Sequence, residues 1–70
     1  MGDTMYFKHS EYGWLSKIVG GLAGKAYAWN EQKRQWVESE GEMRILDPNN
    51  DKSFWYDEIS EAEAKKIMGQ

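Results

Sequence analysis

Cysteine is absent from this chain of 70 residues, and histidine occurs only once, as His9. Without cysteine the chain forms neither disulfide bonds nor thiolate metal sites, and a single histidine leaves a histidine-based metal site without a second ligand of its kind. The five serines have no obvious base beside them in the sequence, so a nucleophile for covalent catalysis is not apparent. We therefore expect no cofactor and no enzymatic activity.

A long hydrophobic run is also missing. No segment approaches the roughly 18 apolar residues that cross a bilayer. The N-terminal sequence lacks the basic region and the following apolar region of a secretory leader. Seventy residues are too few for a dinucleotide-binding unit or an α/β barrel. We expect one small domain over residues 1–70, with no membrane partner.

Basic residues are in the minority, with 9 Lys and Arg against 12 Asp and Glu, and the formal net charge is −3. Residues 1–35 hold five basic and three acidic side chains, whereas residues 36–70 hold four basic and nine acidic ones. A nucleic-acid partner is not expected, because the chain shows no strong basic footprint. The acidic half supports an alternative function, an inhibitor that mimics nucleic acid and occupies a nucleic-acid site on another protein.

Aromatic residues are abundant: 2 Phe, 4 Tyr and 4 Trp. A domain of this size buries only about 60% of its unfolded surface, so we expect these large rings to form most of the core. Rings that the core does not use are candidates for binding a partner, because aromatic side chains are enriched at interface hot spots. Two candidates adjoin a weakly patterned, glycine-containing segment, and two belong to an aromatic run whose alternating side chains cannot all face one core. They are Tyr12, Trp14, Trp55 and Tyr56.

Several short segments predict β-strands. Residues 5–9 are apolar and aromatic, and residues 25–38 predict a hairpin in which Trp29 and Trp36 can meet across a polar turn. Residues 43–46 predict a further short strand, and residues 53–57 an extended aromatic segment.

Two segments have helical features. Ser60 and Glu63 form a capping-box pattern that predicts a helix at about residues 60–68, with an apolar face made by Ala64, Ile67 and Met68. Residues 10–19 place four apolar side chains on one helical face, which favours a short N-terminal helix, with an irregular loop or a strand as alternatives. The predicted fold class is α+β: a small, mainly antiparallel sheet of three to four strands with a C-terminal helix.

One segment resembles the calcium loop of EF-hand proteins. Residues 47–58 carry oxygen-bearing side chains at positions 1, 3, 5 and 12 of that pattern, namely Asp47, Asn49, Asp51 and Glu58. Position 6 is Lys52, where the loop needs glycine for its sharp turn. We expect a polar turn here and no useful calcium affinity, and a calcium-binding loop protein is the third functional alternative.

The first functional expectation is a small, non-catalytic protein-interaction domain whose partner is another protein or a second copy of itself. Homodimerisation is the simplest way for so small a domain to gain buried area. The size, the capping box and the Trp and Tyr content are typical of small bacterial and phage proteins, so we expect a cytoplasmic location.

Overall fold

The computed structural model describes residues 4–69 and shows a five-stranded antiparallel sheet with helices on its two faces. The strands, in chain order, are β1 (Thr4–His9), β2 (Leu15–Val19), β3 (Lys25–Asn30), β4 (Gln35–Glu38) and β5 (Tyr56–Ile59). Their order across the sheet is β4-β3-β2-β1-β5. The helices are α1 (Asp51–Trp55) and α2 (Glu61–Met68), and 3₁₀ helices cover Gly21–Ala23 and Glu40–Leu46. The α+β class is confirmed, whereas the expected three to four strands are corrected to five.

The sheet is covered on both faces, because successive side chains of a strand point to opposite sides. On the first face, Phe7, Ile18, Ala26 and Tyr56 form a core cluster with Ile45 of the longer 3₁₀ helix. A second cluster joins Leu15 to Ala64 and Met68 of α2, with four half-buried side chains packed around them, which are Tyr6, Trp29, Trp36 and Ile59. Each face therefore has its own apolar layer.

The predicted hairpin is confirmed in the antiparallel pairing of β3 with β4. Trp29 lies opposite Trp36, with their ring centroids 5.2 Å apart in an edge-to-face arrangement. In the turn between the strands, the Asn30 side-chain oxygen accepts a hydrogen bond from the Lys33 amide, and Arg34 adopts a φ of 54°. Short-range polar turn chemistry and the cross-strand indole pair together fix this register.

The helix predicted over residues 10–19 is wrong. Residues 10–12 form a turn, Gly13 has a φ of 73°, and Leu15 begins β2, a strand with a neighbour on each side. Because that strand is buried on both faces, Leu15 packs towards α2 while Ile18 packs into the opposite cluster. Apolar residues on the two faces of a central strand produced the spacing that resembles one face of a helix.

Two further expectations are corrected. Residues 43–46, predicted as a strand, belong to the 3₁₀ helix, from which Ile45 packs on the sheet. The segment predicted as extended over residues 53–57 is helical up to Trp55 and becomes strand β5 at Tyr56. The Asn50 side chain accepts a hydrogen bond from the Lys52 amide, and this N-cap begins a short helix.

The C-terminal helix is confirmed. The Ser60 hydroxyl oxygen accepts a hydrogen bond from the Glu63 amide at 3.1 Å, and Gly69 ends the helix with a φ of 83°. Ala64 and Met68 are buried as expected, but Ile67 remains exposed. The packed face of α2 is therefore narrower than the sequence pattern indicated.

Replacing Ser60 with Ala should lower the free energy of unfolding by about 1 kcal/mol, because the Glu63 amide loses its side-chain acceptor. Thermal and urea melts of the variant measure this difference. Ser10→Ala is a matched control, since Ser10 is exposed and lies in a turn rather than at a helix N-cap. A Ser60→Ala melt that superimposes on the parent melt contradicts the stabilising role of the cap.

Candidate aromatic binding site

Four aromatic side chains form one exposed cluster at one end of the sheet, and we call them the aromatic surface: Tyr12, Trp14, Phe54 and Trp55. The first two belong to the β1–β2 connection, and the last two end helix α1. The chain brings these segments together because β5 pairs with β1, with Tyr56 opposite His9. The Ser10 amide also donates a hydrogen bond to the Trp55 carbonyl at 2.8 Å.

His9 lies at the centre of this arrangement. Its Nδ1 accepts hydrogen bonds from the amides of Glu11 and Tyr12, both at 3.1 Å. An accepting Nδ1 places the proton of the neutral ring on Nε2. The imidazole centroid is 5.0 Å from the Tyr12 ring, 5.1 Å from the Trp14 ring and 6.1 Å from the Trp55 ring, to which it is parallel. The single histidine therefore orders the β1–β2 connection and supports three rings.

The four rings are unusually open to solvent for their size. Phe54 is 80% exposed, Tyr12 65%, Trp14 58% and Trp55 42%. The Tyr12 and Trp14 rings stack on each other with centroids 4.6 Å apart, and Phe54 meets Trp55 edge to face at 5.7 Å. Contacts through His9 link the two pairs, so the rings form a contiguous patch rather than scattered exposures.

Tyr56 is a correction to the sequence-based candidates. It is only 8% exposed, and its ring belongs to the core cluster on the first face of the sheet. It supports the site from the core side, because its ring packs edge-on against the His9 ring with the ring centroids 5.0 Å apart. The structure thus groups Tyr12, Trp14 and Trp55, removes Tyr56 from the exposed set and adds Phe54. The sequence did contain a signal for Phe54, since it precedes Trp55 in the same aromatic run.

A cleft of about 470 Å³ adjoins the aromatic surface. Tyr12 and Trp14 line it on one side, and the exposed side chains of Val37 and Ile67 contribute apolar area elsewhere. The end of β3 and the turn that follows it supply the polar lining, through Asn30, Glu31 and Gln32. Its volume lies within the range of roughly 300–1,000 Å³ that is typical of binding pockets.

A buried polar cluster links the longer 3₁₀ helix to strand β2 and helix α1. The Ser16 hydroxyl donates to Glu42 Oε2 at 2.6 Å, and Lys52 Nζ donates to Glu42 Oε1 at 2.8 Å. Burial raises the pKa of the neighbouring Tyr56 phenol, and the negative charge of Glu42 raises it further. Ser16 is only 1% exposed, so its hydroxyl has no access to a substrate in solution. This cluster has the geometry of a buried structural network.

A cation–aromatic contact stabilises the hairpin on the face of the sheet that packs against α2. The Lys17 Nζ lies 4.6 Å from the centroid of the Trp36 ring and 5.3 Å from that of Tyr27. Burial lowers the pKa of this ammonium group below its usual value. Lys17 thus covers the half-buried rings of Tyr27 and Trp36, and both rings contribute to the stability of the fold.

The residues of the calcium-loop pattern take part in other structures. The Asp47 carboxylate accepts a hydrogen bond from the Asn49 amide, which makes a local turn. Asp51 begins helix α1, and Glu58 lies within strand β5 opposite Phe7. A helix and a strand therefore replace the continuous loop that EF-hand coordination requires. Across residues 4–69, no three His, Asp or Glu side chains are grouped so that they could hold a metal ion.

In the described part of the chain, no helix has the length and apolar character needed to cross a membrane. No family model, curated protein or solved structure matches the chain.

Proposed function

We propose that this chain is a non-catalytic protein-interaction domain and that the aromatic surface is where it binds its partner. The observation that carries the proposal is the contiguous exposure of Tyr12, Trp14, Phe54 and Trp55 at one end of a small sheet. Large exposed apolar patches on small proteins mark interaction sites. Phe, Tyr and Trp are also the residues that contribute most to the affinity of protein interfaces.

The backbone that carries Tyr12, Trp14 and Trp55 is ordered before any partner arrives. The His9 amide donates to the Trp14 carbonyl at 2.8 Å, and the Gly13 amide donates to the His9 carbonyl at 3.0 Å. These bonds close the β1–β2 connection, while the Ser10–Trp55 bond ties it to the end of α1. A connection that is ordered before binding loses less conformational freedom on binding, and this favours affinity.

The polar groups support a binding role over a catalytic one. His9 uses Nδ1 to accept two backbone hydrogen bonds, and this nitrogen is therefore not free to act as a base. Lys52 neutralises the charge of the buried Glu42, and neither Ser16 nor Glu42 lines the cleft. The aromatic surface itself provides apolar contact area, which is what a protein partner requires.

Photo-crosslinking tests this proposal. A photoreactive phenylalanine analogue placed at Phe54 should form protein adducts in cells of the native host after irradiation, because that side chain lies on the aromatic surface. Lys25 is the control position, since its side chain is 66% exposed but lies at the opposite end of the sheet. We expect adducts from position 54 and none from position 25. Absence of adducts at position 54, or equal adducts at both positions, contradicts the proposal.

A further inference from the structure

We propose that the partner is a second copy of this chain, and that Phe54 of each copy inserts into the cleft of the other beside Tyr12 and Trp14. This inference rests on the proposed function, because it uses the same aromatic surface. It adds the identity of the partner and the pairing of the two surfaces. Two observations carry it: the exposed aromatic area, and the presence of a protrusion and a cleft side by side. The charge of the chain determines how such a dimer should respond to salt.

The exposed area is the first step. With about 150–250 Å² for each large ring, the four rings together expose roughly 500 Å². Two copies that cover these rings completely bury about 1,000 Å² in total, which is the size of a weak interface and below that of a stable one. The exposed side chains of Val37 and Ile67 in the cleft add to that area. The surface is therefore large enough for a weak dimer without any contribution from the rest of the molecule.

The shape of this end of the molecule is the second step. Phe54 projects from a helix of five residues and is the most exposed of the large hydrophobic side chains described. The neighbouring cleft, at about 470 Å³, has room for a phenyl ring and presents Trp14, Val37 and Ile67 to it. Because the protrusion and the cleft lie on the same molecule, a second copy supplies a partner for both at once.

With twofold symmetry, this pairing gives a closed dimer. In a twofold dimer the same surface is used by both copies, so residue i of one meets residue j of the other and the reverse. Tyr12 and Trp14 line the cleft and also connect through His9 to Trp55, the neighbour of Phe54. The protrusion and the cleft thus share a common boundary, and a twofold axis near Tyr12 and Trp14 forms both Phe54 contacts at once.

Charge separates this partner from a basic one. Each copy has a formal net charge of −3, so two copies repel each other weakly at low ionic strength. Added salt screens that repulsion, and a dimer held by apolar rings is retained or strengthened in high salt. An acidic inhibitor bound to a basic nucleic-acid site behaves in the opposite way, because salt screens its attraction.

Analytical ultracentrifugation of the purified chain tests the dimer. We expect a concentration-dependent monomer–dimer equilibrium that is unchanged or tighter at high salt. Phe54→Asp should raise the dimer dissociation constant by at least about 30-fold, because a hot-spot ring is replaced by a charge. Val19→Asp is the matched control: Val19 is also an exposed hydrophobic residue, but it lies at the far end of β2. A chain that stays monomeric, or a Phe54→Asp variant that dimerises as the parent does, overturns the inference.

A mixing experiment tests the insertion of Phe54 into the cleft. Val37→Lys places a cation in the cleft and should also prevent dimerisation, while an exposed position on an edge strand tolerates lysine. An equimolar mixture of Phe54→Asp and Val37→Lys should dimerise, because one contact is then native and the other pairs Asp with Lys. Circular dichroism confirms that each variant is folded. Failure of the mixture, with both variants folded, overturns this arrangement.

The two proposals fail in different ways. A purified chain that remains monomeric while position 54 crosslinks to a different protein in cells overturns the dimer and supports the interaction function. Absence of crosslinks at position 54 together with a monomeric chain overturns both.

Discussion

Replacing Ile18 with Ala should lower the free energy of unfolding by about 3–4 kcal/mol. Ile18 is fully buried at 0% exposure, on the strand at the centre of the sheet. Its side chain joins Phe7, Ala26, Ile45 and Tyr56 in one cluster, so truncation leaves a cavity that strands on both sides restrain from collapsing. A domain of 70 residues has a total stability of only about 4–10 kcal/mol, and this single change removes a large part of it.

Urea titration followed by tryptophan fluorescence measures the effect. Ile18→Val removes one methylene and should lower the unfolding free energy by about 1 kcal/mol, which keeps the comparison quantitative if the alanine variant is largely unfolded. Val19→Ala is the neighbouring control, since Val19 is more exposed and its truncation should lower stability by no more than about 1 kcal/mol. Equal effects at positions 18 and 19 contradict the assignment of Ile18 to the core.

Ile18 also shows what the sequence could and could not predict about the fold. The hairpin over residues 25–38 and helix α2 carry local signals, an aromatic alternation around a polar turn and a capping box, and both are confirmed. Strand β2 has no such signal, because a central strand buried on two faces lacks the alternation of a half-buried one. Its identity depends on strand neighbours that the local pattern does not reveal.

The candidate site also contains residues that the sequence could predict and residues that it could not. Tyr12 and Trp14 could be predicted as candidates because they flank Gly13 in a weakly patterned segment. Trp55 and Tyr56 could not be separated by the sequence, since which of two adjacent side chains faces the core depends on where strand β5 begins. The grouping around His9 arises from pairing of β1 with β5, which are more than forty residues apart in the chain. No local pattern encodes such a contact.

The largest electrostatic effect is expected at the buried Glu42. Its side chain is 10% exposed, and it accepts hydrogen bonds from Ser16 and Lys52. Replacing Lys52 with Met should lower the unfolding free energy by about 2–3 kcal/mol, because the change leaves a buried carboxylate without its countercharge. This loss of unfolding free energy is smaller than for a fully buried ion pair, since the Lys52 side chain is 37% exposed.

A double-mutant cycle separates this effect from lost packing. Glu42→Gln keeps the shape of the side chain and an acceptor for Ser16, and by itself should lower stability by about 1–2 kcal/mol. The double variant Glu42→Gln/Lys52→Met should be more stable than Lys52→Met alone, because the unpaired charge is gone. Glu40→Gln, on the same 3₁₀ helix but exposed, is the control for loss of a negative charge and should change stability by less than about 0.5 kcal/mol. Chemical denaturation of the parent, the two single variants of Glu42 and Lys52 and the double variant gives the coupling energy directly. Additive effects of the two substitutions contradict the pairing, since they mean that Lys52 stabilises the fold by its aliphatic contacts and not by neutralising Glu42.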